Sequence, residues 1–284
     1  MKPALAPLET LYETKLGKAL PLPPGLARLY GRLRMPLARS RPYVISNFVT
    51  SLDGVVSLNE KGHASGGDIS GFSAQDRMVM GLLRAIADVV IVGAGTLHAD
   101  RHHVWTAERV FPGLAGEYRR LRKALGKRGA PLMVLVSGSG RLDLSLPVFA
   151  SGEMQVLIVT SPAGARRLRK TGAPGSVEIR AVRSRGARGD VISARAILDE
   201  VRRVSAGKLI LVEGGPRLLG DFFADHVLDE QFLTLAPQIA GRNAGDRRLG
   251  LVMGRTFAPR SPLWGSLIDL RRGRSHLFLR YSFR

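Results

Sequence analysis

From Tyr43 onward, short apolar runs alternate with segments whose apolar residues have helical spacing. Runs such as VVIVG, LMVLVS and KLILV are bounded by Gly, Ser, Thr or Asp, which is typical of strands buried on both faces. The segment FSAQDRMVMGLLRAIA predicts a helix with Met78, Leu82, Leu83 and Ile86 turned inward. Such an alternation predicts an α/β fold in which helices cover a mostly parallel sheet.

The C-terminal end departs from this alternation. SLIDLRRGRSHLFLRYSF alternates apolar and polar residues on both sides of an Arg-rich turn, which predicts an antiparallel hairpin. Further helices are predicted at Pro162–Lys170, at Ser193–Val204 and after Pro216, since proline is tolerated in a helix's first turn. We therefore expect a mostly parallel central sheet closed by a C-terminal antiparallel hairpin.

The N-terminal segment has a different pattern. Leu8, Leu11, Tyr12, Lys15 and Leu16 fit one turn-spaced stripe, and LPLPPG follows them. We interpret residues 1–40 as an N-terminal extension and residues 41–284 as one domain. Because no apolar run approaches the roughly 20 residues of a membrane span and the start lacks a signal peptide, we expect a cytoplasmic protein with no membrane partner.

Composition excludes several kinds of chemistry. The chain has no cysteine, which removes disulfides, thiolate nucleophiles and cysteine-based zinc sites, including that of the zinc deaminases. The 43 Lys and Arg against 23 Asp and Glu give a net charge of +20, which attracts anions of every kind. The basic residues are spread along the chain, so we expect no nucleic-acid partner. A basic nucleic-acid-binding protein stays open as an alternative, and a steep salt dependence of binding would distinguish it.

Small or polar residues follow four of the predicted strands. Open α/β sheets bind ligands along this edge, where glycines let backbone N–H groups approach a phosphate. Gly93-x-Gly95 lacks the third glycine of the dinucleotide fingerprint, and no P-loop motif occurs, so standard Rossmann dehydrogenases and P-loop NTPases are disfavoured. The four segments are Thr50–Gly54, Gly93–Thr96, Ser137–Gly140 and Glu213–Pro216.

The order of these motifs resembles the reductase domain of the bifunctional deaminase/reductase family of riboflavin biosynthesis. The matching motifs are TSLDG at 50–54, LRAxAD at 83–88, VGAGT at 92–96 followed by Ala99-Asp100, and VEGGP at 212–216. The resemblance implies a dihydrofolate-reductase-like, three-layer α/β/α fold. It also implies a reductase that stands alone, because the cysteines of the deaminase domain are absent from this sequence.

The resemblance implies that the cofactor is NADPH. Thr160 and Ser161, helped by Arg180 or Arg183, are our own assignment for its 2′-phosphate, since no acidic residue directly follows that strand. The positions that the family likeness assigns to the cofactor are Val49, Thr50, Gly93, Ala94, Gly95, Thr96, Asp100, Ser137, Gly214, Gly215, Pro216, Arg217 and Leu218.

The resemblance also implies an activity. A reductase of this type reduces the ribosyl side chain of 5-amino-6-(5-phosphoribosylamino)uracil, or of a related aminopyrimidine, to ribityl. Arg84 and Glu213 are then substrate contacts, and Asp53 lies near the reacting end. Either Asp53 or Glu213 serves as the proton donor. Asp53 also has an ordinary interpretation as a turn-former.

The substrate loop departs from the family. Asp68-Ile69-Ser70 stands where the family commonly has Ser-Gln-Trp, so Asp68 and Ser70 are the expected substrate contacts. Ala107 stands where a basic residue is expected, with Arg101 or Arg109 as substitutes. A dihydrofolate or pterin reductase on the same fold therefore stays open.

Two further expectations concern metal and assembly. His98, Asp100, His102 and His103 have ligand-type side chains, but we expect no metal, because a polar loop collects such residues freely. We expect a homodimer by family likeness. A second reason is that the apolar strands at the C-terminus would otherwise leave a sheet edge exposed.

Overall fold

The structure is a computed structural model that describes residues 5–36, 40–184 and 191–284. Its strands are β1 (Glu9–Glu13), β2 (Lys18–Ala19), β3 (Arg34–Met35), β4 (Tyr43–Thr50), β5 (Val55–Ser57), β6 (Val89–Gly93), β7 (Leu132–Ser137), β8 (Val156–Thr160), β9 (Val177–Ala181), β10 (Leu209–Val212), β11 (Glu230–Leu235), β12 (Leu249–Gly250), β13 (Ser266–Gly273) and β14 (His276–Ser282). Its α-helices are α1 (Pro24–Tyr30), α2 (Gly66–Ser70), α3 (Ala74–Ile86), α4 (Ala94–Ala99), α5 (Ala107–Val110), α6 (Ala115–Ala124), α7 (Pro147–Ala150), α8 (Pro162–Lys170), α9 (Ala194–Val204) and α10 (Pro216–Ala224).

One ten-stranded sheet organises the chain, in the order β1-β13-β14-β11-β4-β10-β6-β7-β8-β9. Seven of these strands, β11-β4-β10-β6-β7-β8-β9, run parallel to one another. At the other side, β14 pairs antiparallel with both β11 and β13. The expected mostly parallel sheet with a C-terminal antiparallel hairpin is confirmed.

Side chains of the parallel strands alternate between two hydrophobic layers, because successive residues of a strand point to opposite faces. In β6, Val90 and Val92 join the layer under α3 and α6, while Val89 and Ile91 join the layer under α9 and α10. The sheet is therefore the middle of three layers. The inward residues predicted for α3 are confirmed, since Met78, Leu82, Leu83 and Ile86 are all buried.

The N-terminal segment corrects one expectation. The stripe that begins near Leu8 is not helical, because Glu9–Glu13 is a strand that pairs antiparallel with β13. Nor is the described part of the segment an appendage, because Leu26 and Met35 are fully buried in the same layer as α3. The buried Arg271 of β13 holds it, with its Nη2 donating to the carbonyl of Arg32 over 2.8 Å.

The position of β1 bears on the exposed-edge argument for a dimer. Because β14 lies between β11 and β13, and β1 covers the outer side of β13, the C-terminal hairpin leaves no free edge. The expectation that the C-terminal strands would leave an exposed sheet edge is therefore wrong, since an antiparallel partner already satisfies the backbone of β13. Within the described ranges, no helix is long and apolar enough to cross a membrane.

Candidate active site

Two helices begin side by side where β6 and β10 end. Gly93 is the N-cap of α4, and Gly215 is the N-cap of α10, whose first residue is Pro216. The two strand ends are joined by a 2.7 Å hydrogen bond from the N–H of Gly93 to the carbonyl of Gly214. Unpaired N–H groups and the positive dipole end of a helix favour anions. The carboxyl edge of the sheet thus has a place for a phosphate group between two helix starts.

Gly214 and Gly215 are packed against Thr96 of α4. Gly214 has φ +134°, and a Cβ there would lie 2.7 Å from the Thr96 hydroxyl oxygen. At Gly215 the same distance is 3.2 Å. Only glycine fits at Gly214 without strain or displacement, whereas Gly215 is merely tight. Nothing lies within 4 Å of a Cβ built on Gly95.

We call Gly93–Thr96 and Gly214–Pro216 the glycine cradle. Arg84 and Glu213 form a buried ion pair beside it. The Nε of Arg84, in the last turn of α3, lies 2.8 Å from the Oε2 of Glu213, directly after β10, and the two side chains are 3% and 4% exposed. Burial raises the pKa of Glu213, and the charge and hydrogen bond of Arg84 act against it. Asn47, on β4, also lowers this pKa. Among the described residues, the buried Oε1 of Glu213 has no hydrogen-bond partner.

His103 fixes the other side of Arg84. The Nη1 of Arg84 lies 2.6 Å from the Nε2 of His103, and the Nδ1 of His103 lies 3.3 Å from the Oδ2 of Asp100. Burial and the neighbouring Arg84 charge lower the pKa of His103 to about 3. The ring is therefore neutral near pH 7 and accepts from Arg84 at Nε2.

A second buried carboxyl group lies near Glu213. Asp76, in the first turn of α3, has its pKa raised by burial, while hydrogen bonds from Thr234 and Ser70 act against this. Its charge in turn raises the pKa of Glu213. The region under α3 therefore contains two carboxyl groups and one arginine that are shielded from water.

Asp53 is held as a structural carboxylate. It accepts hydrogen bonds from the Ser51 hydroxyl at 2.6 Å and from the N–H groups of Ala240 and Gly241 at 3.1 and 2.8 Å. These bonds, with that of Ser51 the largest cause, lower its pKa to about 2. All three hydrogen bonds favour the ionised form of Asp53, so they do not support a role as proton donor, which stays a prediction. Its position joins two loops at the carboxyl edge.

The expected substrate loop is α2 and the residues before it. Asp68 accepts hydrogen bonds from the backbone N–H and the hydroxyl of Ser65 at 3.0 and 2.8 Å and contacts His63. It therefore caps the N-terminus of α2. Burial opposes its charge, but the bonds from Ser65 and His63 outweigh burial, and the pKa of Asp68 is lowered. Ser70 is buried and lies near Asp76. Asp68 thus has structural partners for both oxygens.

Thr160 and Ser161, the positions predicted for the 2′-phosphate, both have hydrogen-bond partners in the fold. Thr160 is fully buried and donates its hydroxyl to the carbonyl of Ser137 over 2.6 Å. Ser161 is buried as the N-cap of α8 and accepts from the N–H of Gly164 over 3.0 Å. At the junction of β7, β8 and α8 the Thr160 hydroxyl is used as a donor and the Ser161 hydroxyl as an acceptor, and the 2′-phosphate assignment stays a prediction.

Three of the four arginines named as phosphate contacts pair with carboxylates. Arg180 pairs with Glu178, Arg101 with Asp143 and Arg109 with Glu153, in exposed ion pairs. Arg183 is exposed, and Ala107 is buried at the start of α5. Among these candidates, Arg183 alone has no hydrogen bond or ion pair to the described residues.

The remaining predicted cofactor positions follow the strand ends. Val49 and Thr50 are buried and paired with β11, and the carbonyl of Thr50 accepts from Ala236. Ser137 is buried at the end of β7, and Asp100 is the C-cap of α4, at the helix end away from Gly93. In α4 and α10, Ala94 and Arg217 lie in the first turns, and Leu218 packs into the core. The structure therefore brings together Gly93, Ala94, Gly95, Thr96, Gly214, Gly215, Pro216, Arg84 and Glu213.

Three residues of the site were not singled out for it from the sequence. Asn47 interrupts the apolar run of β4, and a polar residue in a buried strand is a usable signal. Asp76 and His103 gave no such signal, because one stands at an ordinary helix start and the other in a polar loop. Within the described parts of the chain, no three His, Asp or Glu side chains come together as metal ligands.

Comparisons with known proteins find a matching family and related proteins. Residues 42–255 match the family model described as the RibD C-terminal domain. An Archaeoglobus fulgidus protein named 2,5-diamino-6-ribosylamino-4(3H)-pyrimidinone 5′-phosphate reductase is 26% identical over 201 residues, which cover 71% of this chain and 83% of that protein.

Two solved structures have the same fold. A pyrimidine reductase-like protein from Corynebacterium diphtheriae has a TM-score of 0.68 and 22% identity, over 91% of this chain and 98% of the other. A bifunctional deaminase/reductase from Thermotoga maritima has a TM-score of 0.63 and 21% identity over 86% of this chain, which spans 57% of that larger protein. The family match covers the seven parallel strands of the sheet, both helix starts and the Arg84–Glu213 pair, and the chain therefore belongs to the RibD C-terminal domain family.

Proposed function

We propose that this protein is an NADPH-dependent reductase of riboflavin biosynthesis that converts the ribosyl side chain of an aminopyrimidine phosphate to ribityl. The observation that carries the proposal is the buried Oε1 of Glu213, which lacks a partner among the described residues and lies next to the glycine cradle. The family, and the reductase names of the relatives from Archaeoglobus fulgidus and Thermotoga maritima, support it.

The cradle fits the pyrophosphate of NADPH. A Cβ at Gly214 would occupy space next to Thr96, and α4 and α10 begin next to the 2.7 Å hydrogen bond that joins Gly93 to Gly214. Gly93, Thr96, Gly214, Gly215 and Pro216 would hold the diphosphate. When bound, NADPH supplies the hydride.

Glu213 recognises the substrate ring in this proposal. An aminopyrimidine has amino and ring N–H groups, and each would be left unpaired if it were buried without an acceptor. The free Oε1 of Glu213 is such an acceptor, and its partner oxygen is held by Arg84. Arg84 is itself fixed by His103, so the carboxylate is oriented before the substrate arrives.

Glu213 is also the better placed proton carrier. Reduction of the ribosyl group needs a proton at the opening ring oxygen. Burial raises the pKa of Glu213, whereas hydrogen bonds lower the pKa of Asp53 to about 2. Asp53 therefore orders the loop of Ala240 and Gly241, and Glu213 holds or orients the proton.

A substrate phosphate needs a cationic side chain to bind it. The family resemblance places a basic residue at position 107, and this chain has none there. Position 107 is a buried alanine, and Arg101 and Arg109 pair with carboxylates. Arg242 is exposed, and its guanidinium lies beside the turn at Gly54. We assign it to the phosphate, with Arg242→Glu expected to raise KM for the phosphorylated substrate and leave KM for NADPH unchanged.

The test is turnover of NADPH with three substrates: the aminopyrimidine ribosyl phosphate, its dephosphorylated form, and dihydrofolate. We expect turnover with the first, a higher KM with the second and none with the third. Turnover of dihydrofolate alone would replace the proposal by a pterin reductase on the same fold. NADH in place of NADPH is expected to give a higher KM.

We also propose a homodimer. Leu52 and Ile239 are exposed apolar side chains at the carboxyl edge, on segments joined by a 2.8 Å hydrogen bond from the Leu52 N–H to the Gln238 carbonyl. Exposed apolar side chains on adjoining segments favour a protein contact. Light scattering should give twice the chain mass, and a monomer at all concentrations would contradict the proposal.

A further inference from the structure

A cavity of about 550 Å³ opens at the amino ends of the parallel strands, at the edge opposite to Glu213. Asp88, directly before β6, and Lys208, directly before β10, both line it. The volume lies within the roughly 300–1,000 Å³ that small-molecule sites occupy. The reductase site uses none of these residues.

The wall of the cavity is predominantly cationic. Arg122, Lys127, Arg128 and Lys208 line it, with Asp88 as its one acidic residue. The charge of Asp88 is already satisfied, because one oxygen pairs with Lys127 and the other accepts from the N–H groups of Lys208 and Leu209 at 2.9 Å. The local excess of positive charge therefore has no acidic partner within the cavity.

Arg122 is built into this wall. It is 7% exposed, and its Nε and Nη1 donate to backbone carbonyls, including those of Ala85 at 3.0 Å and Ala87 at 2.8 Å. Its Nη2 has no hydrogen-bond partner among the described residues. A buried guanidinium that is fixed on one side and free on the other suits a phosphate or carboxylate oxygen.

Two further features fit a bound anion. Burial lowers the pKa of Lys127, and the hydrogen bond and charge of Asp88 act against this. A bound anion would act in the same direction as Asp88, because it too would stabilise the charged form of the lysine. Leu20, Ile86 and Leu125 add apolar wall to the same cavity. A ligand with an apolar ring and a phosphate group would contact both kinds of surface.

We propose that this amino-edge cavity binds a small organic phosphate, with the phosphate at Arg122, Arg128 and Lys208 and an apolar ring against Leu20, Ile86 and Leu125. The site does not depend on the proposed reductase activity. Arg122 also binds the carbonyl of Arg84 over 3.4 Å, so the site contacts the end of α3 that carries the Arg84 side chain.

The test uses phenyl phosphate as the probe, with inorganic phosphate and phenol as its two halves, in calorimetric titrations of the full chain at low salt. Arg128→Glu with Lys208→Glu removes two exposed cations from the rim. Arg169→Glu with Lys170→Glu, at the exposed C-terminal end of α8, is the control with the same change in net charge. We expect the rim variant to weaken phenyl phosphate at least tenfold and the control less than twofold.

Hydrogen exchange with phenyl phosphate should protect residues 122–130 and 205–209. Absence of binding, or equal weakening by both variants, would overturn the proposal, since the probe would then respond only to net charge. Protection at 93–96 and 213–216 would overturn it too, because the probe would occupy the cofactor cradle. If inorganic phosphate binds as tightly as phenyl phosphate, the apolar wall has no role and the organic part of the proposal is wrong.

Discussion

Replacement of Glu213 by glutamine tests the centre of the site. The change keeps size and shape but removes the negative charge that faces Arg84 across 2.8 Å, where the two side chains are 3% and 4% exposed. Loss of one partner from a buried ion pair costs about 3–5 kcal/mol. Because glutamine can still accept from the Arg84 Nε, we expect about 3 kcal/mol of lost stability.

At about 2–4 °C for each kcal/mol in a domain of this size, the Tm should fall by roughly 6–12 °C. Turnover should fall about 100-fold, since Glu213 is the proposed ring acceptor and proton carrier. The NADPH Kd should stay within about twofold, because the cradle is formed by main chain and Thr96. Calorimetric unfolding, steady-state kinetics and NADPH titration measure the three quantities.

Glu178→Gln is the matched control. It makes the same chemical change in an ion pair with Arg180 whose side chains are 46% and 44% exposed, and exposed pairs contribute about 0–1 kcal/mol. Its Tm and turnover should match those of the unsubstituted protein. If Glu213→Gln behaves like this control, Glu213 is neither buried against Arg84 nor part of the reaction, and the site assignment is wrong.

Four other outcomes are expected. Gly214→Ala should weaken NADPH binding at least tenfold in calorimetry while Gly95→Ala stays within twofold, since a Cβ meets the Thr96 hydroxyl oxygen at 2.7 Å in the first and nothing within 4 Å in the second; equal affinities would refute the cradle. The pKa of His103 is about 3 in the folded chain against an ordinary 6.5, so its contribution to stability is complete above pH 6.5 and is lost as pH falls toward 3. Denaturant unfolding should therefore lose about 1 kcal/mol between pH 6.5 and 5.5, and the loss should vanish in His103→Gln; an unchanged loss would mean that other groups cause it. Asp53→Asn should lower the free energy of unfolding by about 1–3 kcal/mol and leave the pH profile of turnover in place, whereas a shifted acidic limb would restore Asp53 as a proton donor. Arg183, which follows β9, is exposed and has no hydrogen bond or ion pair to the described residues, and it is the predicted cation for the 2′-phosphate; Arg183→Glu should therefore reduce the NADPH over NADH preference at least tenfold, and an unchanged preference would place the 2′-phosphate elsewhere.

The sequence by itself determined the architecture from Tyr43 onward. Strand and helix periods, the glycines after β6 and β10, and the proline that begins α10 are local signals, and each agrees with the layer in which it lies. The same local signals placed Glu213, Gly214 and Gly215 at one strand end. Parallel strands align their carboxyl ends at one edge, so these positions and Gly93 were expected to meet.

Tertiary structure alone decided which polar groups are free. The sequence shows that Thr160 and Asp53 have hydrogen-bonding atoms, but their partners at Ser137 and at residues 240–241 come from other segments that the fold brings alongside. The same holds for the N-terminal segment, whose residues 9–13 became an edge strand because β13 offered an unpaired backbone. A group's chemical type is local, whereas its hydrogen-bond partner and its access to water depend on contacts far along the chain. The fold alone therefore distinguished Glu213, with a free oxygen, from Asp53, with three donors.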